Sequence, residues 1–334
     1  MHCPDENQLA AFLEARLDVE SRTGVDVHLD QCTACRSLVS VLAEALGTPL
    51  PQGPSDPNRE LFAGDRIADR YVLLKHVGEG GTSTVWAARD ETDGSEIALK
   101  ILKERVSEGQ KRLAREARVT AALDHPNILQ SRCVVTDGEA MFLVMDLLAG
   151  ESLASRLVRE PLTLSEVGAF TLPAIEALSF AHDAGVLHRD IKPENIFLCE
   201  DRRVLLLDFG LAKLLERVLG LTMTSTTQAG FVLGTPQYMA PEQLAADPNV
   251  GPPADVWSLG VVLYECLGGK RPIDGRSFGQ IFKQIYSHNI MPLREIAPKA
   301  PRELTDCIDR MLTLDAPARP TLEDVRRCVS TFAR

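Results

Sequence analysis

The sequence predicts an α+β protein in which a small helical unit precedes a β-rich segment and then a larger, mostly helical one. Three observations carry this. From Tyr71 to Met145 the chain runs in short β-branched stretches separated by turn signals such as Asp93-Gly94, the pattern of antiparallel strands. Beyond Gly150 the chain becomes mostly helical, with apolar residues at helical spacing. Before both, Gly47 to Asn58 (GTPLPQGPSDPN) is dense in Pro, Gly, Ser and Asp and reads as a linker.

Taken in order, residues 1–46 form the small helical unit. Leu9, Phe12, Leu13 and Leu17 recur at helical spacing, as do Leu38, Val41, Leu42 and Leu46. Residues 47–69 are assigned to the linker and 70–334 to the main unit, with a β-rich part over 70–145 and a helical part over 150–334. Strands are expected at Tyr71 to Val77, Ser83 to Arg89, Glu96 to Leu102 and Ala140 to Met145. An amphipathic helix is expected from Gln110 to Leu123, stopping before His125-Pro126. A short strand pair is expected at Ile196 to Leu198 and Val204 to Leu207, and no internal repeat is visible.

A chain of 334 residues exceeds the usual single-domain size, and 45% hydrophobic with 25% charged residues is an ordinary globular balance. The net charge of −11 argues against nucleic acid as the main partner, because phosphate binding needs a basic face. No run approaches the roughly 18 consecutive apolar residues of a membrane span. The longest candidate, Leu259 to Leu267, is broken by Glu265, and the first residues lack a signal-peptide pattern. The expectation is a cytoplasmic protein with no membrane partner. Eight cysteines in such a chain read as thiols or metal ligands rather than disulfides. Cys133, Cys199, Cys266, Cys307 and Cys328 are scattered among apolar residues, and the other three cluster near the start.

The chemistry concentrates in Val186-Leu187-His188-Arg189-Asp190-Ile191-Lys192-Pro193-Glu194-Asn195, with Asp208-Phe209-Gly210 following thirteen residues after Asn195. Phosphoryl transfer needs a carboxylate to orient a hydroxyl, a cation beside the moving phosphoryl group, and oxygen ligands for Mg²⁺. Asp190, Lys192, Asn195 and Asp208 supply those groups in that order. On these residues the chain resembles the bacterial eukaryotic-like serine/threonine protein kinases, and the resemblance runs from Tyr71 to the C-terminus. It implies a bilobed kinase fold, with a small β-rich lobe and a larger helical one. It also implies transfer of the ATP γ-phosphate to Ser and Thr hydroxyls of protein substrates, with ATP and Mg²⁺ (Mn²⁺ in its place) as cofactors, in intracellular signalling.

The other motifs fit that resemblance. Gly78-Glu79-Gly80-Gly81-Thr82-Ser83-Thr84-Val85 lies between two expected strands, and glycines let backbone N–H groups reach phosphates. It departs from the family's G-x-G-x-x-G in having Ser83 at the third glycine. Ile97-Ala98-Leu99-Lys100 matches the strand that carries the phosphate-binding lysine, so Lys100 is expected to pair with Glu116 on the next helix, with Glu104 and Glu108 as competitors that precede the amphipathic stretch. Phe142 to Gly150 resembles the adenine hinge, with Met145 behind the pocket and the backbone of Asp146 to Leu148 facing the base. Val77, Val85, Ala98 and Leu198 are the apolar slabs expected around it, although each alone reads equally as core. Lys192, Thr235 and Ala240-Pro241-Glu242 point to Ser/Thr specificity. Asp255-Val256-Trp257-Ser258-Leu259-Gly260 resembles the helix that supports the catalytic loop, and Arg319 resembles the late Arg that pairs with Glu242. Arg189 before Asp190 marks family members whose activation loop is ordered by phosphorylation, so Thr222, Thr224, Ser225, Thr226 and Thr227 are expected phosphosites. The plain alternative for those five is an ordinary polar loop.

Near the start, His28-x₃-Cys32-x₂-Cys35 with Cys3 offers a compact thiolate and imidazole set suited to tetrahedral Zn²⁺. The stretch from Cys3 to Arg36 resembles the zinc-finger domain of bacterial zinc-binding anti-sigma factors. That resemblance implies Cys3, His28, Cys32 and Cys35 as ligands, with His2 as an alternative to Cys3, and a regulatory protein docking on this unit. A helical hairpin with incidental thiols is the plain alternative, although so small a unit has little core of its own. Two other functions remain to weigh. A non-catalytic scaffold on the same fold usually lacks the strand lysine or the acidic residues, and Lys100, Asp190 and Asp208 are all present. Small-molecule phosphotransfer is disfavoured by Thr235 and the intact Ala240-Pro241-Glu242.

Overall fold

The computed structural model describes Pro4, Gln8, Phe12, Val25 and His28, then residues 61–79, 83–102, 123–137, 140–160, 162–209, 236–275, 277–287 and 290–332. Chain contacts divide into two compact units, Met1–Arg59 with Asp137–Ala140, and Glu60–Thr136 with Met141–Arg334. In the first, Gln8, Phe12, Val25 and His28 are helical, and Phe12, Val25 and His28 are buried. The rest of the expected zinc set, Cys3, Cys32 and Cys35, lies outside the described residues.

A six-stranded sheet with order β1-β2-β3-β4-β6-β5 is built from β1 (Arg66–Ile67), β2 (Tyr71–Glu79), β3 (Ser83–Asp90), β4 (Glu96–Leu102), β5 (Ser131–Asp137) and β6 (Ala140–Asp146). The linker was expected to reach residue 69, but Arg66 pairs with Val72 and Ile67 with Tyr71. Two residues are too few to show a period, so β1 has no sequence signal. Its turn runs through Ala68 and Asp69, both with positive φ. β5 was also unexpected, because Arg132 and Cys133 on it are exposed and blur the alternation. The expected helix over Gln110 to Leu123 lies outside the described residues except for Leu123, which is buried and not helical.

A second, three-stranded sheet has the order β7-β8-β9, from β7 (Gly150–Ser152), β8 (Ile196–Cys199) and β9 (Val204–Leu206). β7 was not expected. Gly150 has φ +145, and a Cβ there would meet the Leu198 carbonyl oxygen at 2.2 Å, so only glycine lets the two backbones approach.

Around this hairpin lie α1 (Leu153–Arg159), α2 (Leu164–Asp183), α3 (Pro241–Leu244), α4 (Pro253–Gly268), α5 (Phe278–Tyr286), α6 (Leu293–Ile296), α7 (Arg302–Met311) and α8 (Leu322–Ser330). Thr163 and Glu166 form a reciprocal capping box that starts α2. α2 is long and apolar enough to cross a membrane by length and composition, but half of that window is buried. Its Phe170, Ile175 and Leu178 belong to one core with Trp257, Val261, Leu304 and Ile308. It packs as a core helix. α4 is buried almost all round and ends at Gly269, whose φ of +69 closes the helix in the left-handed conformation.

Candidate active site

Lys100 sits in β4, whose residues Ile97 to Ile101 are all buried. Alternation along the strand puts Ala98 and Lys100 on one face. Register puts Val85 opposite Lys100 and Met145 opposite Ala98, so these four share that face. Val77 lies at an irregularity in the β2–β3 pairing and is 51% exposed, off this register. Gly78 and Glu79 pair with Val85 and Thr84. Ser83 pairs with Leu102, while Gly80, Gly81 and Thr82 lie outside the described residues. Leu198 sits in the other sheet, paired with Val204 and Glu151.

The β8–β9 hairpin brings the next two residues together. Ile196 pairs with Leu206, and the Leu207 N–H donates to the Asn195 carbonyl at 2.9 Å. The register therefore leaves Asn195 and Asp208 at the same end of the hairpin, although thirteen positions separate them in sequence. Asp208 takes a left-handed φ of +63, a turn away from the strand direction. Its carboxylate meets the Lys100 ammonium at 2.5 Å, with the two side chains 30% and 9% exposed. Burial alone would raise the Asp208 carboxyl, but the charge and hydrogen bond of Lys100 outweigh it and hold the group below the usual carboxylate range. The expected partner of Lys100, Glu116, lies outside the described residues.

Asp190 stands at the centre of the cluster. Lys192 Nζ donates to its Oδ2 at 2.8 Å. Asn195 Nδ2 donates to its carbonyl at 2.7 Å and to its Oδ2 at 3.0 Å. Asn195 itself is only 5% exposed, and both of these hydrogen bonds run from Nδ2. The structure thus gathers Lys100 with Asp208, and Asp190 with Lys192 and Asn195; the hairpin joins the two groups.

Asp255, on the helix expected to support the catalytic loop, holds that loop in place. It is fully buried at the start of α4 and accepts from the His188 N–H at 2.9 Å, the Arg189 N–H at 2.8 Å and His182 Nε2 at 2.8 Å. Arg189 has φ +68, and Gln243 Nε2 donates to its carbonyl at 2.9 Å. The backbone just before Asp190 is therefore clamped from both sides in a conformation that a free chain rarely adopts. His182 and Gln243 have no local sequence signal for this role, since their partners are 73 and 54 positions away. Burial would raise the Asp255 carboxyl, yet the His182 hydrogen bond, His188 and the Arg189 N–H lower it overall. A lowered folded value means a stabilising increment that is present above the unfolded carboxylate pKa and disappears as pH falls through the folded value. Replacing Asp255 with Asn should cost about 3 kcal/mol near pH 7, since a charged acceptor with three donors is lost. Unfolding midpoints of the wild type and Asp255→Asn should converge as the pH is lowered through and below the usual carboxylate range.

The described residues also line an open pocket of about 790 Å³, with Glu96, His125, Arg132, Asp146, Leu148 and Arg203 among its walls. It includes Asp146 and Leu148 from the expected hinge but none of Lys100, Asp190, Asn195 or Asp208, so it is separate from the charged cluster. The expected phosphosites Thr222 to Thr227, and Thr235, lie outside the described residues.

Residues 71–329 match the family model described as Protein kinase domain. The chain is 37% identical over 252 residues to the serine/threonine-protein kinase PknA of Mycobacterium tuberculosis, covering 73% of this chain and 57% of that one. It is 35% identical over 286 residues to the serine/threonine-protein kinase PkaA of Streptomyces coelicolor, covering 80% and 50%. To the serine/threonine-protein kinase pkn2 of Myxococcus xanthus it is 34% identical over 259 residues, covering 75% and 31%. The chain spans about half the length of these relatives, or less.

Proposed function

Because this chain belongs to the protein kinase domain family, we propose that it is a serine/threonine protein kinase that transfers the γ-phosphate of ATP to protein hydroxyls. The observation that carries the reading is the single cluster of Lys100, Asp208, Asn195, Asp190 and Lys192 at the end of one hairpin. The donor set suits Mg²⁺, a hard cation that prefers oxygen: a partly exposed carboxylate on Asp208 and the amide oxygen of Asn195, whose Nδ2 is already engaged. When bound, the metal neutralises charge on the phosphates. Asp190 takes the proton of the incoming hydroxyl, and Lys192 beside it offsets negative charge as the phosphoryl group moves. Lys100 binds the α- and β-phosphates, exchanging part of its contact with Asp208 for them. Val85, Ala98 and Met145, on the same sheet face, form the adenine side of the pocket. The protein works in the cytoplasm on protein substrates.

The test is γ-labelled ATP with the whole chain and a generic protein acceptor. Label is expected on phosphoserine and phosphothreonine, and on the chain itself between Thr222 and Thr227. Label on small molecules only, or none at all, would refute the reading; transfer to the acceptor with a clean 222–227 peptide would refute only the autophosphorylation.

The finer reading of the first unit is a zinc site built from Cys3, His28, Cys32 and Cys35, serving as a docking module for a regulatory protein. It is supported by His28, which is 6% exposed and whose Nε2 meets no hydrogen-bond partner among the described residues. A buried imidazole nitrogen without a donor or acceptor opposite it is costly unless a metal takes it. Elemental analysis of protein purified without chelator should find one zinc per chain, reduced in Cys32→Ser. A zinc-free wild type would end this part of the proposal.

A further inference from the structure

Two thiols at the far end of the helical part meet in a way that the phosphoryl-transfer cluster does not use. Cys307 on α7 is 1% exposed, and Cys328 on α8 is partly exposed and packs on the same core. The Cys328 thiol lies 3.3 Å from the Glu303 carbonyl oxygen. In an α-helix that carbonyl accepts the N–H four residues on, which here is that of Cys307. Cys328 therefore sits against the same turn of α7 that carries Cys307. From this geometry we propose that Cys307 and Cys328 form a reversible disulfide when the protein meets a hydroperoxide, tying α7 to α8.

The electrostatics agree with the geometry. The neighbouring Cys328 thiol and the Arg310 guanidinium bring the Cys307 thiol below its ordinary value, against the pull of burial. Cys328 moves the opposite way, so the first proton leaves the pair more readily than it leaves a lone buried thiol. Burial pushes the thiols of Cys199 and Cys266 up, which leaves both inert by comparison. One thiolate of the pair attacks a peroxide oxygen; the O–O bond breaks, and the departing hydroxide takes a proton and leaves as water. The second sulfur, as thiolate, attacks the sulfenic sulfur. The S–O bond breaks, the S–S bond forms, and the second hydroxide leaves as water with the second proton. Two thiols and one hydrogen peroxide become one disulfide and two waters.

The bond would close a loop around the α7–α8 connection, which carries Arg319 and, through it, Glu242 at the start of α3. Closing a loop of this size removes freedom from the unfolded chain, so oxidation should raise the unfolding temperature by several degrees.

The experiment treats the full chain with hydrogen peroxide, blocks free thiols with an alkylating agent, digests, and maps the peptides by mass spectrometry. The expected result is a linked Cys307–Cys328 peptide lighter by two hydrogens, released by dithiothreitol, with a rise in unfolding temperature that Cys328→Ala abolishes. Recovering Cys307 and Cys328 separately, each alkylated or oxidised on its own, would overturn the proposal. So would a different cysteine pair linked in their place. The wild-type map decides the matter even if a Cys307 variant fails to fold.

Discussion

Changing Asp190 to Ala should lower phosphate transfer by about a hundred- to ten-thousand-fold, the usual range for loss of a general base. Its side chain touches only Lys192 and Asn195 among the described contacts, and Asn195 keeps its second bond to the Asp190 carbonyl. The loss should therefore fall on kcat, with the KM for ATP nearly constant and the unfolding temperature little altered. Asp190→Asn sharpens the point: it keeps an oxygen for Lys192 but cannot take a proton, and should be almost as inactive as Asp190→Ala. A variant that retains more than a tenth of wild-type kcat would remove Asp190 from the chemistry.

The second large effect concerns folding. Arg319 is buried between α7 and α8 with its side chain fully shielded, and all five of its N–H donors are used. Nη1 donates to Glu242 at 2.7 Å and to the Pro253 carbonyl at 2.8 Å. Nη2 donates to Glu242 at 2.8 Å and the Leu314 carbonyl at 3.2 Å, and Nε to the Thr313 carbonyl at 2.8 Å. The guanidinium also lies over the Trp257 ring, 5.1 Å from its centre. Arg319→Ala leaves the Glu242 carboxylate and three carbonyls without their donor, and should cost about 3–5 kcal/mol of stability. Lysine cannot rescue it, because a single ammonium cannot reproduce the planar fork. Denaturant unfolding of Arg319→Ala and Arg319→Lys checks this; a loss below about 1 kcal/mol, the level of a surface ion pair, would contradict it.

How legible these features were in the sequence depends on how local they are. The strands carrying Lys100 and Met145 show in alternation and β-branching, and their expected limits differ from the observed ones by a residue or two at most. Asn195 and Asp208 were assigned by motif, and their nearness follows from a hairpin whose two strands were each visible. The Arg319–Glu242 pair, expected from resemblance alone, is present across 77 positions. Contacts without a motif were not visible. Lys100 with Asp208, the His182 and Gln243 contacts around the loop before Asp190, and Cys328 against the turn of α7 that carries Cys307 are set by how helices and strands pack, and no spacing encodes them. β1 and β7 are too short to leave a period, and β7 depends on one glycine's close approach to Leu198.

The claim beneath all of this is that Asn195 and Asp208 hold one divalent cation together with the phosphates of ATP, beside Asp190. The most direct measurement is a crystal structure of the chain with Mg²⁺ and a non-hydrolysable ATP analogue. The account predicts a metal bound by the Asn195 amide oxygen, the Asp208 carboxylate and phosphate oxygens, with Lys100 on the phosphates. A nucleotide seated elsewhere, or a metal that neither Asn195 nor Asp208 touches, would contradict it.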